Sequence, residues 1–115
     1  MLGPADKALS GVRANILRMD AASNNITNVN TPDYKSIRVP TVETVNGGTR
    51  GTPVRDDRPG PLGIESDTGK VYENSNSDIG TEFTNLMTAV RGTESNITVI
   101  RTSDEILGTL FDIMA

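Results

Sequence analysis

The polar residues of this chain include few of the groups that enzymes use for catalysis. The 115 residues contain neither histidine nor cysteine, so the most frequent general base, a thiolate nucleophile and a cysteine-type zinc site are all excluded. The stretch Asp67-Thr68-Gly69-Lys70 resembles a phosphate-binding loop. However, Gly63 precedes Gly69 by six positions where the motif needs five, and Val71 stands where Ser or Thr is required. A turn accounts better for this stretch.

The acidic residues do not form a catalytic or metal-binding pattern either. Asp56-Asp57 and Asp67 lack the spaced ligand loop of a calcium site. Asp104 and Glu105 are adjacent on an expected helix, so their side chains point to different faces and form no dyad. We therefore expect no enzyme, no cofactor and no metal. A small hydrolase that uses Asp, Lys or Ser is the weakest alternative.

Composition restricts the partners and the size of the core. The net charge is −4 with a pI near 4.7, which argues against nucleic-acid binding, and no small-molecule substrate is expected. Two Phe, two Tyr and no Trp leave little material for a large core. No apolar run is long enough to span a membrane. The first twenty residues lack a continuous apolar region, so we expect no Sec-type signal peptide.

The last third of the chain has the strongest periodicity. From Ile79 onward, alternating steps of four and three residues reach mainly apolar positions. This period, held over five heptads, is typical of a coiled-coil seam. A helix over 78–115 would be roughly 50 Å long and cannot bury its stripe against itself, so it needs partners. The predicted seam residues here are Phe83, Leu86, Val90, Ile97, Ile100, Leu107, Phe111 and Met114.

The same alternation occurs at the other end of the chain. Gly3-Pro4 is suited to an N-cap followed by a first-turn proline, and Pro32 disfavours helix at the residue before it. These signals predict a helix over residues 4–30. Its predicted seam residues are Leu9, Val12, Ile16, Met19 and Ile26.

The end of this N-terminal helix is rich in side chains that compete for backbone hydrogen bonds. The stretch runs Ser23-Asn24-Asn25-Ile26-Thr27-Asn28-Val29-Asn30, and Asn, Ser and Thr favour caps and turns over helix interiors. Keeping it helical in isolation is expensive. We therefore expect a neighbouring chain to satisfy its amides.

The middle of the chain, 36–77, shows no helical period. Ser36 to Val45 is rich in β-branched residues and predicts a short strand, followed by the turn signal Asn46-Gly47-Gly48. Leu62-Gly63-Ile64 and Val71-Tyr72 flank a turn and predict a second hairpin. Thr52 to Pro61 is rich in Pro, Gly and charge and predicts a loop. A small β insert between two helices follows.

The C-terminal helix has a clear start and a weak interior. Asp78 is a good N-cap, and Glu82 suits the positive end of the helix dipole. Gly80, Gly92 and Gly108 each cost about 1 kcal/mol relative to Ala, and many threonines add to this. Assembly with other chains would supply the missing stability.

Both ends of the chain resemble bacterial flagellar rod and hook proteins. The N-terminal signature begins at Leu9-Ser10-Gly11-Val12-Arg13-Ala14-Asn15 and continues through Ser23, Asn24, Asn25, Asn28, Asn30, Thr31, Pro32, Tyr34 and Lys35. The C-terminal signature includes Glu82-Phe83-Thr84-Asn85-Leu86-Met87, Arg91-Gly92 and Val99-Ile100-Arg101-Thr102-Ser103-Asp104-Glu105-Ile106-Leu107. The two signatures occur in the family's order and cover about 70 of the 115 residues.

The resemblance implies a fold and a role. The fold is mainly α, with long terminal helices that pair as an antiparallel coiled coil and a short β or loop insert between them. The parts are 1–35 with the core helix and Asn-rich signature, 36–77 with the insert, and 78–115 with the second core helix. The implied role is a structural subunit that lines a periplasm-spanning axial tube. Its implied partners are itself, other axial proteins and the flagellar type III export apparatus, which needs no cleaved signal.

Three departures refine the resemblance. Asp33 stands where the family has Gly before the Tyr-Lys pair, and Asp tolerates a left-handed conformation better than most residues. Thr93 is a polar hole in the seam, where relatives are often aromatic. The insert of about 40 residues is short beside the large outer domains of hook proteins, which indicates a short rod subunit.

One binding role competes with the structural one. A free-standing helical-hairpin adaptor or chaperone-like module would be stably helical at every concentration. An axial subunit would gain helix on assembly, and Leu86→Asp or Ile100→Asp would abolish its incorporation because a lone charge would lie in the seam.

Overall fold

The computed structural model describes residues 3–115. It is mainly helical, with α1 at Pro4–Thr27 and α2 at Ile79–Met114, and its shape is extended, at 78 × 24 × 14 Å. Between the helices lie six short strands: β1 Ile37–Arg38, β2 Thr41–Glu43, β3 Thr49–Gly51, β4 Val54–Arg55, β5 Leu62–Ile64 and β6 Val71–Glu73. None of the described helices is both long and apolar enough to cross a membrane.

The two helices begin as their capping residues predict. Gly3 is the N-cap of α1 and proline follows at the first helical position, where its missing N–H is no loss. Asp78 caps α2, because its Oδ2 accepts hydrogen bonds from the Thr81 N–H at 3.0 Å and from the Thr81 hydroxyl at 2.7 Å. The helical termini therefore follow local sequence chemistry.

Helix α1 ends earlier than residue 30, the end that the sequence predicts. Its last residue is Thr27, with Asn28 as the C-cap. The Asn28 side chain donates to the Asn24 carbonyl at 2.9 Å, and the Val29 N–H donates to the Ile26 carbonyl at 3.3 Å. A turn thus replaces the last helical residues because side chains and tighter backbone bonds satisfy the carbonyls.

The strands form three antiparallel two-stranded pairs: β1 with β4, β2 with β3, and β5 with β6. The predicted strand over Ser36–Val45 is wrong as a single element, because the structure divides it at Val39-Pro40. Pro40 has no N–H to donate to a ladder. The predicted loop Thr52–Pro61 is also wrong in part, since β4 lies within it and pairs with β1.

The hairpin turns use residues that adopt unusual backbone angles. Gly47 has φ 85° between β2 and β3, and Gly69 has φ 70° between β5 and β6; both conformations strain a residue with a Cβ. Asp33 has φ 61° and its N–H donates to the Glu73 carbonyl at 2.9 Å. The position where relatives carry Gly is therefore left-handed here, as the departure from the family pattern anticipates.

Helices α1 and α2 lie side by side, and the insert packs on α1 through β1 and β3. Among residues 3–115, the buried apolar residues are all alanines: Ala8, Ala14, Ala21, Ala22 and Ala89. Most large apolar side chains of both helices are exposed or half-buried. This distribution differs from that of an ordinary globular domain, whose large aliphatic residues are mostly inside.

Candidate assembly surface

Small and polar residues form the surface through which the two helices contact each other. The buried and half-buried positions of α2 step by four and three residues, and we name them the α2 contact stripe: Glu82, Leu86, Ala89, Thr93, Asn96, Ile100 and Ser103. The α1 contact stripe has the same stepping: Ala8, Gly11, Asn15, Arg18 and Ala22. Small side chains let two helix backbones approach closely.

The glycines of each stripe region face asparagines of the other helix. A Cβ at Gly11 would lie 2.5 Å from Asn96 Nδ2, and a Cβ at Gly92 would lie 2.7 Å from Asn15 Nδ2. Going from position 11 to 15 along α1, the facing position on α2 goes from 96 to 92, so the two helices run in opposite directions. The Asn15 and Asn96 side chains occupy the space that the absent glycine side chains leave open.

Most of the predicted seam residues lie outside the α1 and α2 contact stripes. Five of them are half-buried, namely Val12, Met19, Ile26, Leu86 and Ile100, and the other eight are exposed: Leu9, Ile16, Phe83, Val90, Ile97, Leu107, Phe111 and Met114. Phe83 is 49% exposed and Ile97 is 44% exposed. Only Leu86 and Ile100 also belong to the α2 contact stripe. Within one chain, the eight exposed seam residues are therefore only partly covered.

The seam occupies one side of the helix pair. Four of the five α1 seam residues follow a residue of the α1 contact stripe by one position, as Leu9 follows Ala8 and Ile16 follows Asn15. On α2, Phe83, Val90 and Ile97 follow residues of the α2 contact stripe in the same way. One residue corresponds to about 100° of rotation. Because the helices face each other and run in opposite directions, the residues that follow the two contact stripes by one position lie on the same side of the pair. We call that side the seam face.

The insert covers the other side. Ala14 and Ala21 each precede a contact residue of α1 by one position and are buried. A Cβ at Gly51 in β3 would lie 3.6 Å from Ala14 Cβ, and the Thr49 N–H donates to Ser10 Oγ at 2.9 Å. The insert therefore shields one side of the helix pair and leaves the seam face open.

The Asn-rich signature forms a polar corner between α1 and the insert. Asn25 is fully buried, and its Nδ2 donates to the Ile37 carbonyl at 2.9 Å. Its Oδ1 accepts from the Ile37 N–H and the Tyr34 hydroxyl, both at 2.9 Å. The expectation that a neighbouring chain satisfies these amides is wrong for Asn25, because β1 and Tyr34 of the same chain satisfy them.

Lys35 extends this corner to β6. Its Nζ pairs with Glu73 Oε1 and donates to the Arg58 carbonyl at 3.1 Å, while the Gly60 N–H donates to Glu73 Oε1 at 2.8 Å. Asn76 Nδ2 donates to the Asp56 and Arg58 carbonyls at 2.8 and 2.9 Å. Sequence reasoning missed Glu73 and Asn76, since no local pattern marks partners that are 18 to 38 residues away.

The rest of the signature lies around the corner. Ser23, Asn24, Asn30, Thr31 and Pro32 are exposed and Asn28 is half-buried. The Thr31 hydroxyl donates to Asn28 Oδ1 at 3.1 Å. The structure therefore places Asn25, Tyr34 and Lys35 in the corner. Ser23 and Asn24 belong to the last turns of α1, and the other signature residues lie in the turn that follows it.

Charge pairing lowers the pKa of two carboxyl groups in the corner. The Arg58 guanidinium hydrogen bonds lower the pKa of Asp56 from 3.8 to about 2, with Arg58 Nε and Asp56 Oδ1 2.9 Å apart. The Lys35 ammonium, followed by the Gly60 N–H, lowers the pKa of Glu73. Burial, and then the nearby Glu82 carboxylate, raises the pKa of Tyr34. These groups form no acid–base pair aimed at a shared ligand.

A cavity of about 260 Å³ lies between both helices and β1. Its charged lining residues are Arg18, Arg38 and the buried Glu82, so the two cations exceed the single carboxylate. Among residues 3–115 there is no group of three side chains arranged to hold a metal ion. The cavity supports no particular reaction.

Comparison with protein families gives two matches in chain order. Residues 6–35 match the family described as "Flagella basal body rod protein". Residues 69–113 match the family described as "Flagellar basal body rod FlgEFG protein C-terminal". Comparison with curated protein sequences gives no significant match. The two matched segments contain nearly all of α1, the corner residues Asn25, Tyr34 and Lys35, and β6 with nearly all of α2.

Proposed function

The chain belongs to the flagellar basal body rod proteins, and we propose that it is a structural subunit that polymerises into the rod through its terminal helices. One observation carries this proposal: the large apolar side chains of the seam face, namely Leu9, Ile16, Phe83, Val90 and Ile97, are exposed in the single chain. Monomeric soluble proteins rarely expose contiguous apolar patches of this kind unless they bind a partner. The role is assembly rather than chemistry.

Within the subunit, α1 and α2 pair as an antiparallel coiled coil. The four-and-three stepping of both contact stripes supports this pairing, as do the facing pairs Gly11–Asn96 and Asn15–Gly92. Alanine and glycine at the contact let the two helix backbones approach each other closely. The large apolar residues that would fill an ordinary seam are thereby left for neighbouring subunits.

The partners are further copies of this chain and other axial proteins of the flagellum. The subunit leaves the cytoplasm through the flagellar type III export apparatus and takes its place in the periplasm-spanning rod. The small insert supports a short rod subunit rather than a hook subunit. Division into 1–35, 36–77 and 78–115 matches the functional parts of the subunit: core helix with signature, insert, and second core helix.

Incorporation of seam-face variants tests this function. A tagged chain is produced in a flagellated bacterium that lacks its own copy, and basal bodies are isolated and probed for the tag. Ile97→Asp places a charge on the seam face, and we expect it to abolish incorporation. Thr98→Asp is the matched control, because Thr98 is exposed on the neighbouring face and is expected to incorporate normally. Normal incorporation of Ile97→Asp would overturn the proposal.

Two further variants separate assembly from internal packing. Leu86 and Ile100 are half-buried in the α2 contact stripe as well as in the seam. Leu86→Asp or Ile100→Asp is therefore expected to weaken α1–α2 packing in addition to incorporation. Ile97→Asp is the sharper test, because an exposed seam residue contributes to assembly without contributing much to the single chain.

A further inference from the structure

The end of α2 extends beyond any helix of its own chain. Ser103 is the last half-buried residue of α2, and residues 104–115, which we name the C-terminal overhang, are all exposed. The cause is the register of the pair: α1 begins at Pro4, so nothing in α1 reaches farther along α2. About three helical turns therefore lack a helical neighbour.

The overhang continues the α2 contact stripe with larger residues. The same four-and-three stepping from Ser103 reaches Leu107, Leu110 and Met114, which are 50%, 49% and 73% exposed. A second row, Ile106 and Ile113, is 63% and 76% exposed and lines a shallow groove with Leu110. The surface that α1 covers elsewhere thus becomes more apolar where α1 no longer covers it.

Charge distinguishes between the surfaces on which the C-terminal overhang would pack. The overhang carries Asp104, Glu105 and Asp112 and no basic residue. Pairing between two overhangs would bring these carboxylates together. Residues 62–73, the other projecting apolar element, carry three carboxylates and one lysine. Both alternatives therefore place like charges in contact, which disfavours them.

The N-terminal half of α1 has the complementary character. Residues 7–19 carry Lys7, Arg13 and Arg18 and no acidic residue. Leu9 and Ile16 are 40% and 45% exposed on its outer surface, and Arg13 lies between them, one helical turn from each. This surface combines apolar side chains with positive charge, as the overhang combines apolar side chains with negative charge.

We infer that the C-terminal overhang of one copy packs on the outer surface of α1, around Leu9, Arg13 and Ile16, in a second copy. The inference rests on the proposed function and names one contact by which copies join. It is a heterologous contact, since the overhang and the α1 surface are different patches. Such contacts do not close on themselves unless the rotation returns to the start, and otherwise continue along a helix or tube.

Disulfide trapping tests the contact, because the chain has no cysteine of its own. Full-length Leu9→Cys protein is mixed with Ile113→Cys protein, or with Ile106→Cys protein, under conditions where light scattering shows polymer. Within one chain, positions 9 and 113 lie roughly 20 Å apart along the helix axis, too far for a disulfide. We expect a mixed dimer in at least one pairing, about tenfold more abundant than with Val45→Cys, whose residue is fully exposed on the insert.

Each outcome has a definite meaning. A mixed dimer at the control level, in solutions that contain polymer, overturns the contact and leaves the proposed function intact. Dimers formed mainly between two Ile113→Cys chains also overturn it, because the overhangs would then pair with each other. Failure of the unsubstituted chain to polymerise at any concentration overturns both the contact and the proposed function.

Charge reversal gives a second readout. Arg13→Glu and Glu105→Arg are each expected to reduce the trapped dimer several-fold, and the two variants mixed are expected to restore it. Circular dichroism of each variant monitors folding. Arg50→Glu, on β3 and exposed, is the control for net charge. Equal losses in the Arg13 and Arg50 variants, without rescue, would contradict a specific contact.

Discussion

The polar corner and the seam face differ in whether their side chains find partners within the single chain. In the corner, the buried Asn25 uses its amide on the N–H and C=O of Ile37, and Lys35 pairs with Glu73, all within one chain. On the seam face, Phe83, Val90 and Ile97 remain exposed. The directional hydrogen bonds of the corner are completed within the single chain, whereas these apolar side chains of the seam face are not buried by it. Under the proposed function, the corner residues stabilise the subunit and the seam residues join it to others.

The largest expected effect separates these two regions directly. Ile97→Asp is expected to abolish polymerisation while changing the free energy of unfolding of the monomer by less than about 0.5 kcal/mol, as exposed positions usually do. Light scattering across a dilution series measures the first quantity and urea unfolding the second. A large loss of monomer stability would show that Ile97 is part of the internal core and would remove the contrast.

Substitution in the polar corner is expected to lower the stability of the single chain. Asn25→Leu leaves the Ile37 N–H and C=O and the Tyr34 hydroxyl without their partner, which costs about 3 kcal/mol of unfolding free energy. Asn24→Leu, at an exposed position, is the control and is expected to cost less than about 1 kcal/mol. Urea unfolding compares the two, and equal losses would mean that the buried hydrogen bonds contribute little.

Two glycine-to-alanine substitutions compare the polar corner with the C-terminal overhang. A Cβ at Gly60 would collide with the Asn74 carbonyl oxygen, a backbone atom, so Gly60→Ala is expected to destabilise the corner by about 2 kcal/mol. A Cβ at Gly108, in the C-terminal overhang, would meet no atom within 4 Å. Gly108→Ala is therefore expected to raise helix stability, by up to about 1 kcal/mol. Thermal unfolding followed by circular dichroism measures both, and the same sign for both would contradict this contrast.

The smallest expected effect concerns acid. The pKa of Asp56 is lowered from 3.8 to about 2, so its ion pair with Arg58 stabilises the fold above about pH 4 and is lost as the pH falls through about 2. NMR titration of the Arg58 amide should show a midpoint near 2, and Asp56→Asn should abolish this transition. A midpoint near 4 would indicate that the Asp56–Arg58 pair is not formed in solution.

The local elements could be predicted from the sequence because their signals are short-range. Pro4 and Asp78 begin the helices, the four-and-three stepping identifies helical stripes, and Gly69 identifies the turn of β5 and β6. The β1–β4 pairing could not be predicted, because two-residue strands about 15 residues apart carry no pattern that exceeds chance. The early end of α1 depended on side-chain hydrogen bonds that compete with the helix.

The choice of contact face is the main point at which sequence reasoning and structure separate. Periodicity marked the large apolar residues, since they dominate any hydropathy pattern. The stripe of Ala8, Gly11, Ala22 and Ala89 has the same period but contributes little to hydropathy. Close packing favours small residues where two backbones approach. The small-residue stripe therefore forms most of the internal contact, joined by Leu86 and Ile100, and the other predicted seam residues lie outside it.

The sequence alone predicts the two helices, their caps, the hairpin turns and the family signatures, because each depends on residues near one another in the chain. The tertiary structure adds which stripe of each helix faces its partner, that Asn25 and Lys35 bind the insert of the same chain, and that residues 104–115 extend past α1. These depend on the register between α1 and α2 and on contacts between distant residues. Register is a property of the packed pair, and no single segment contains it.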